Sequence, residues 1–281
     1  MSVPLLSIED LHVSFGPRPR RVEVLHGVDL VVEEGQTHAL VGESGSGKST
    51  IGRAVLGLVP PDSGTIRFQG QDLAAGGRRE RRARSRDVQV VFQDPYTSLN
   101  PALTIGDTLS EPLLGQGLTR REARSRVAEL AERVRLPSDA LDRYPSEFSG
   151  GQRQRVAIAR AIAIRPRLIV CDEPVSALDL STQRTVLDLL EEVQEVTGVA
   201  YLFISHDLAV VRHLSDVVSV ISRGEIVESG EAATVIERPS HPYTRRLLLS
   251  APVSDPREQR ERRLAYRALR REEATAQVAP L

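Results

Sequence analysis

The residues best suited to chemistry in this sequence lie in a glycine-rich stretch that ends in Lys-Ser-Thr. Apolar residues up to Val41 predict a short buried strand before it, and the residues from 50 onward predict a helix after it. The glycines allow successive backbone N–H groups to turn toward one anion at the positive end of that helix. This phosphate loop consists of Gly42, Glu43, Ser44, Gly45, Ser46, Gly47, Lys48, Ser49 and Thr50.

Two side chains of the phosphate loop have specific predicted roles. Lys48 is placed to reach the β- and γ-phosphates of a nucleotide, and the Ser49 hydroxyl is placed to ligate Mg²⁺. The alternative is a glycine-rich turn that binds nothing. The full spacing of the motif, and its position between a strand and a helix, favour the phosphate site.

A second candidate anion site begins with Ser149. Ser149, Gly150, Gly151 and Gln152 lie where an apolar helix that runs to Arg165 should begin, so they offer backbone N–H groups and a hydroxyl. Taken alone, Ser149 is better explained as a simple N-cap. The doubled glycine and the polar run that follows it favour an anion site.

Two adjacent carboxylates follow a predicted buried strand. The apolar run 168–171 delivers Asp172 and Glu173 at its carboxyl end, which is the usual place for ligands in an open α/β sheet. Neighbouring side chains on an extended chain point in different directions, so we expect separate roles. Asp172 would bind Mg²⁺ through water, and Glu173 would orient or deprotonate an attacking water. A solvated strand end is the alternative, and a phosphate loop in the same chain disfavours it.

Gln93, His206 and Asp179 are the remaining polar candidates. Gln93 follows the apolar run 88–92 and is placed to reach the metal or the water near the phosphates. His206 follows the predicted core strand 199–204 and emerges toward the same sheet edge as Glu173. Asp179 ends a turn that leads into a helix.

The composition limits the class of protein. The chain has 281 residues, with 37 basic and 38 acidic groups and a net charge of −1, which gives no case for nucleic acid as the main partner. The single cysteine, Cys171, excludes an intramolecular disulfide and a cysteine-based metal cluster and favours a reducing, cytoplasmic setting. Neither a signal peptide nor a membrane-spanning run of about 18 apolar residues is expected. Work at a membrane would therefore depend on partners.

Hydrophobic periodicity predicts the elements around these sites. Residues 5–34 and 64–68 alternate as half-buried antiparallel strands do. From about 96 to 146 the pattern is helical, with a capping box at Thr119 and Glu122, which indicates an inserted subdomain. The basic run 78–86 is expected to form a solvated surface helix. Phe15 has two interpretations, and the residues alone favour plugging the small sheet over stacking on adenine.

Together these motifs resemble the nucleotide-binding subunit of an ABC transporter, over residues from about 5 to 250. The phosphate loop resembles the Walker A motif, and residues 149–152 resemble the signature. Phe15 matches the position of the aromatic residue that stacks on adenine in this family. The other correspondences are Gln93 to the Q-loop glutamine, Asp172 and Glu173 to Walker B and its catalytic glutamate, Asp179 to the D-loop aspartate and His206 to the switch histidine.

The resemblance implies an α/β fold: a RecA-like P-loop core with a mostly parallel sheet, an N-terminal antiparallel β-subdomain and an inserted α-helical subdomain at about 96–155. The nucleotide-binding domain would span residues 1–250, and residues 251–281 would form a charged C-terminal extension. This extension is expected to form a short solvated helix or to fray. Residues 92–101, 144–152 and 241–244 are similar to the oligopeptide/dipeptide importer branch, and closest to the second of its two ATPase subunits, the F-type subunit. Because Cys171 stands alone, no iron–sulfur centre is predicted.

The resemblance also implies an activity and partners. The signature of one subunit is expected to close over the ATP held by the phosphate loop of a second ABC ATPase subunit, either a homologous D-type subunit or a copy of this chain. Two transmembrane permease subunits and, indirectly, an extracytoplasmic binding protein complete the assembly at the cytoplasmic face of the cell membrane. ATP hydrolysis with Mg²⁺ would energise peptide import. The alternatives are import of glutathione or a nickel chelate, and a soluble ABC ATPase without a transport role.

The resemblance assigns catalytic, metal-binding and nucleotide-binding roles to the residues of these motifs. Glu173, His206, Lys48 and Gln93 would act in catalysis, and Ser49, Gln93 and Asp172 would lie at the metal. Nucleotide contacts would come from Phe15, from the phosphate loop at 42–50, from Gln93 and, across the interface between subunits, from Ser149, Gly150, Gly151, Gln152 and Asp179.

Overall fold

The computed structural model describes residues 3–17, 19–73, 84–250, 255, 257 and 260–267. Its described strands form a four-stranded sheet and a six-stranded sheet. The four-stranded sheet is antiparallel, in the order β2-β1-β4-β5, and contains β1 (Leu6–Phe15), β2 (Val22–Val32), β4 (Ser63–Phe68) and β5 (Gln71–Asp72). The predicted antiparallel pairing is therefore confirmed.

The six-stranded sheet carries the candidate site. It has the order β10-β9-β3-β8-β7-β6, with β3 (Thr37–Val41), β6 (Val88–Val91), β7 (Leu168–Asp172), β8 (Ala200–Ser205), β9 (Val217–Ser222) and β10 (Glu225–Glu231). All neighbours pair in parallel except β9 and β10, which form an antiparallel hairpin. The carboxyl ends of β3, β6, β7 and β8 therefore lie along one edge, where ligands bind in open α/β sheets.

The described helices cover both faces of this sheet. They are α1 (Lys48–Val55), α2 (Ile105–Gly115), α3 (Arg120–Arg133), α4 (Gly150–Ile162), α5 (Leu180–Thr197), α6 (Leu208–Leu214), α7 (Ala232–Glu237) and α8 (Pro242–Ser250), with short 3₁₀ turns at Ala140–Asp142 and Pro145–Glu147. Alternation of strands and helices around a mostly parallel sheet is the expected α/β architecture. The predicted fold class is confirmed. No helix in the described ranges is both long and apolar enough to cross a membrane.

Three buried apolar clusters hold these layers together. One joins the antiparallel sheet, α1 and one face of the large sheet. A second joins the opposite face to α2, α3, α4 and α5, so the helices between β6 and β7 are anchored on the large sheet. The third lies under α6, α7 and α8 at the β9 side. The phosphate loop, at the start of α1, is thus supported from two sheets.

Local sequence signals explain several helix ends. The Thr119 and Glu122 capping box is present: the Glu122 N–H donates to Thr119 Oγ1 (3.3 Å), and the Thr119 N–H donates to the Glu122 carboxylate (2.8 Å). Asp179 caps α5 by accepting the N–H groups of Ser181 and Thr182 (3.1 and 3.0 Å). Both caps place a charged oxygen at a helix N-terminus, where the helix dipole stabilises it.

The structure corrects some sequence-based boundaries. The helix expected to run to Arg165 ends at Ile162, and Arg165 has a left-handed φ of 54° that the helix cannot continue. Phe15 does not plug the small sheet, because 42% of its surface is exposed. Most of the basic run 78–86 and most of the C-terminal extension lie outside the described residues, although 260–267 are helical and largely exposed.

Candidate functional site

The phosphate loop is a backbone cradle at the end of β3. Gly47 is the N-cap of α1, with φ 110° and no side-chain cap, so the first N–H groups of that helix face the loop without a side-chain partner. A Cβ atom at this position would lie 2.7 Å from Leu25 Cδ2, which adds a steric reason for glycine. The Ser46 carbonyl accepts the Gly224 N–H (3.0 Å), which ties the loop to the β9–β10 turn.

Lys48 is folded back on the loop that it closes. Its side chain is buried, and Nζ donates to the carbonyl oxygens of Gly42 and Glu43 (both 2.9 Å). Burial lowers the pKa of Lys48, while the negative charges of Glu173 and Asp172 oppose that shift. The ammonium therefore holds two carbonyl oxygens of the loop, and the charges of Glu173 and Asp172 act on it.

Ser49 and Asp172 are in direct contact across two elements. The Ser49 hydroxyl donates to Asp172 Oδ1 (2.8 Å), which joins the start of α1 to the end of β7. Burial raises the pKa of Asp172, and the Ser49 hydrogen bond together with the Arg53 charge counteracts the rise. A hydroxyl and a carboxylate oxygen at this distance form the hard-oxygen set that Mg²⁺ prefers, so these residues fit that ion.

The Glu173 carboxylate contacts side chains that follow two other strands. Gln93 Nε2, after β6, donates to Glu173 Oε2 (3.1 Å), and His206 Nδ1, after β8, lies 3.2 Å from the same oxygen. Glu173 has a left-handed φ of 49°, directly after the last residue of β7. The structure thus brings Glu173 and His206 together at one edge, as the sequence predicted, and adds Gln93 to the same carboxylate oxygen.

The residues at 149–152 form the start of α4, and Ser149 is exposed there. Ser149 caps α4: its Oγ accepts the Gln152 N–H (3.4 Å), and Gln152 Oε1 accepts the Ser149 N–H (2.9 Å). Gly151 is packed closely, because a Cβ there would lie 2.0 Å from Thr182 Cγ2. Within the described residues no hydrogen bond or ion pair links 149–152 to the phosphate loop. The N-cap that sequence reasoning set aside is therefore present, beside an exposed serine.

Asp179 and Phe15 are outside the hydrogen-bonded groups formed by Asp172 and Glu173. Hydrogen bonds from Ser181 and Thr182 lower the pKa of Asp179, which is exposed and remains ionised. Phe15 ends β1 with its ring partly exposed, as a ring that stacks on a planar ligand must be.

Sequence reasoning missed one contact with the phosphate loop. The Tyr243 hydroxyl accepts the Glu43 backbone N–H (3.1 Å), so a residue of α8 touches the loop from outside. Residues 241–244, His-Pro-Tyr-Thr, indicated similarity to the oligopeptide/dipeptide importer branch. They could not predict a contact with a residue 200 positions away in the sequence.

Sequence comparison defines the class of protein. The family described as "ABC transporter" matches residues 25–176. A putative peptide import ATP-binding protein of Brucella ovis is 47% identical over 262 residues, which cover 93% of this chain and 83% of that protein. The chain therefore belongs to the ABC transporter family, as an ATP-binding subunit with ATPase activity.

Further matches indicate the branch of the ABC transporter family to which the chain is similar. The family described as "Oligopeptide/dipeptide transporter, C-terminal region" matches residues 227–276. The oligopeptide transport ATP-binding protein OppD of Mycobacterium tuberculosis is 49% identical over 235 residues, 84% of this chain and 38% of that protein. The glutathione import ATP-binding protein GsiA of Shigella flexneri is 48% identical over 269 residues, 93% of this chain and 43% of that protein. The resemblance to the oligopeptide/dipeptide importer branch is confirmed, and the assignment to its F-type subunit stays a prediction.

Solved structures show the same fold. A dimeric ATP-binding cassette in a post-hydrolysis state, bound to ADP and Pi, superposes with a TM-score of 0.74 at 28% identity, covering 81% of this chain and 98% of that one. The cbiO1 protein of Clostridium perfringens, described as part of the ABC transporter complex cbiONQ, superposes with a TM-score of 0.75 at 26% identity, covering 84% and 92%.

Proposed function

We propose that this chain is the ATP-hydrolysing subunit that energises import of peptides across the cytoplasmic membrane. The observation that carries the proposal is the convergence of Glu173, Gln93 and His206 beside the Ser49–Asp172 pair, at the edge where the phosphate loop begins. Support for a peptide substrate comes from the match of residues 227–276 and from the names of the Brucella and Mycobacterium relatives.

ATP would be held mainly by backbone groups. Its phosphates would lie against the N–H groups of residues 42–50 at the start of α1, where the helix dipole favours negative charge. Lys48 would exchange the carbonyls of Gly42 and Glu43 for phosphate oxygens, a short movement because its ammonium already lies within the loop. Phe15 would stack on the adenine ring.

Ser49, Asp172 and Gln93 are the residues that would hold Mg²⁺. The contact between the Ser49 hydroxyl and the Asp172 carboxylate supports this assignment, since both oxygens are within reach of one small ion. The ion supplies charge neutralisation for the phosphates when it is bound.

Glu173 would position and deprotonate the water that attacks the terminal phosphate. Its carboxylate is only partly exposed, and Gln93 and His206 hold one of its oxygens in place. The proton would move from the water to the Glu173 carboxylate as the oxygen–phosphorus bond forms and the bond to ADP breaks. His206 would then face the charge that develops on the phosphate.

A second ATPase subunit would complete each site. Ser149 is exposed at the start of α4, ahead of Gly150, Gly151 and Gln152, and Asp179 lies at the start of helix α5. These residues would contact the nucleotide held by the partner, which we propose to be a homologous D-type subunit. Support for this arrangement comes from the dimeric post-hydrolysis cassette of the same fold. Two permease subunits would dock on the pair at the membrane, and an extracytoplasmic binding protein would deliver the substrate.

Glutathione is the second candidate substrate, because a glutathione import ATP-binding protein is 48% identical to this chain. A soluble ABC ATPase without transport is disfavoured by the oligopeptide/dipeptide C-terminal region.

Reconstituted transport separates these functions. The chain is assembled with its own permeases and binding protein in liposomes, and uptake of labelled di- and oligopeptides is compared with uptake of glutathione. We expect ATP-dependent peptide uptake that Lys48→Ala abolishes. Uptake of glutathione without peptides, or ATPase activity that no transported solute accompanies, would overturn the peptide assignment. Mass spectrometry of the ligand retained by the binding protein identifies the natural substrate.

A further inference from the structure

We infer that Tyr243 is a positioning residue for the phosphate loop, through which the C-terminal region of this chain sets the affinity for ATP. The inference rests on the proposed role of residues 42–50 in binding ATP. It begins from one contact: the phenol oxygen of Tyr243 accepts the backbone N–H of Glu43 at 3.1 Å, and the Tyr243 side chain is buried.

The peptide group that Tyr243 contacts is also held by Lys48. The Glu43 N–H and the Gly42 carbonyl belong to the same peptide unit, and Lys48 Nζ donates to that carbonyl at 2.9 Å. An ammonium on the oxygen polarises the amide and strengthens the hydrogen bond that its N–H donates. The unit is therefore held from both sides, by a side chain inside the loop and by one outside it.

This arrangement has a consequence for the nucleotide-bound state. When Lys48 turns to the phosphates, it releases the Gly42 carbonyl, and the Tyr243 hydroxyl becomes the side chain that keeps this peptide unit oriented. A loop held in one orientation loses less conformational freedom when ATP binds. Tyr243 therefore acts on the binding step and not on the attack of water.

The start of α8 is fixed well enough to serve as such a support. Glu228 of β10 accepts hydrogen bonds from the Ser240 N–H and hydroxyl (both 2.7 Å) and from the His241 N–H (3.1 Å). The His241 ring nitrogen Nδ1 accepts the Tyr243 N–H (3.2 Å), and Pro242 occupies the first helical position. The His-Pro-Tyr sequence thus caps the helix, begins it and reaches the loop in three consecutive residues.

The phosphate loop borders open space on the side of Tyr243. An open pocket of about 140 Å³ is lined by residues 43–46, by Ser222 and Arg223 at the β9–β10 turn, and by Tyr243 and Arg246 of α8. The Arg246 guanidinium lies 5.2 Å from the Tyr243 ring centroid and packs over the ring on this side. Without the hydroxyl, the Glu43 N–H loses its partner and the loop has room to reorient.

The test is Tyr243→Phe in the assembled transport complex. Phenylalanine keeps the ring and its packing and removes only the hydroxyl. The loss of one hydrogen bond of about 1 kcal/mol corresponds to an affinity for ATP that is about fivefold weaker. We expect the KM and the Kd for ATP to rise about fivefold, with kcat within a factor of two of the wild type. The Kd is measured with the Glu173→Gln background, where turnover does not interfere.

Tyr201→Phe is the matched control. Tyr201 is also buried, and its hydroxyl donates to the Leu190 carbonyl (2.9 Å) inside the core, away from the loop. We expect this variant to lower the melting temperature while leaving the KM for ATP unchanged.

The two hypotheses fail in different ways. If the wild-type complex does not hydrolyse ATP, the proposed function is wrong. If it does, and Tyr243→Phe has the wild-type KM and Kd, or loses kcat at constant KM, or shifts KM no more than Tyr201→Phe, the positioning role of Tyr243 is wrong.

Discussion

The two glycine-containing helix starts of this chain differ in what their first N–H groups contact. At the phosphate loop the N-cap is Gly47, which has no side chain and is buried together with Ser46 and Lys48, whereas Glu43, Ser44 and Gly45 are exposed. At the signature the N-cap is Ser149, whose hydroxyl and backbone are already paired with Gln152 at an exposed helix end. The first helix start has no side-chain cap, and the second is capped by a serine whose hydroxyl is exposed. The difference explains how one chain can contribute two unlike halves to two sites.

The largest expected effect on ATPase activity is at Glu173, the carboxylate at the same sheet edge as the phosphate loop. Glu173→Gln keeps the size of the side chain but cannot accept a proton, so we expect ATPase activity to fall by about 10²- to 10⁴-fold. ATP binding should remain, because the phosphate loop is untouched. Phosphate release and a nucleotide-binding titration measure the two quantities. Glu237→Gln, a surface substitution on α7, should keep wild-type turnover. Wild-type ATPase activity in Glu173→Gln would remove this residue from the role of base.

A substitution at Ser149 distinguishes a helix cap from a phosphate contact. Aspartate and asparagine cap helices as well as serine does, so Ser149→Asp and Ser149→Asn should both keep the melting temperature near that of the wild type. Aspartate would also place a negative charge against the partner's nucleotide, which we expect to reduce ATPase activity of the complex by about a hundredfold. The Kd for ATP of the isolated chain should not change.

The charge-neutral Ser149→Asn variant is the control and should lose far less activity. If both variants hydrolyse ATP like the wild type, Ser149 is only a cap, and the proposed contribution to the partner's site is wrong.

Acid should weaken the buried support of the phosphate loop. His38 lies on β3, with Nδ1 donating to the Val31 carbonyl (2.6 Å) and Nε2 facing the Ser219 hydroxyl (2.8 Å). Burial lowers the pKa of His38 to about 4, below the value of 6.5 that applies when the chain is unfolded. Only the unfolded state then gains a proton between these values, so stability is lost as the pH falls through 6.5 toward 4.

We expect the free energy of unfolding to drop by about 2 kcal/mol between pH 7 and pH 5 from this residue. Denaturant titrations at the two pH values measure it. His38→Gln should be less stable at pH 7 but should lack this part of the pH dependence, whereas His26→Gln, at a partly exposed histidine on β2, should retain it. An identical pH profile in His38→Gln and the wild type would exclude His38 as the cause.

The smallest effect is expected at Phe15. A base stacked on an aromatic ring contributes about 1 to 3 kcal/mol, and Phe15 remains partly exposed to water, which favours the low end, so Phe15→Ala should weaken ATP binding by about five- to tenfold. Phe15→Tyr should bind like the wild type. If Phe15→Ala instead lowers the melting temperature and leaves the Kd unchanged, the ring supports the small sheet after all.

Much of the site could be predicted because its signals are local. The phosphate loop, the Thr119 capping box and the Asp172–Glu173 pair each depend on residues within a few positions of one another, and their types and spacing determine their geometry. Phe15 was harder, since whether an aromatic ring at a strand end is buried depends on what the rest of the fold places over it.

By itself, the sequence of this protein determined that a nucleotide-binding loop, a pair of carboxylates and a second polar helix start exist, because backbone conformation and hydrogen bonding within short segments produce them. Only the tertiary structure decided which of these meet. The order of strands β3, β8, β7 and β6 brings Gln93 and His206 to one oxygen of Glu173, and the packing of α8 brings Tyr243 to the Glu43 N–H. Such contacts join distant segments, and their distances follow from strand order and core packing, which no short stretch of the chain contains.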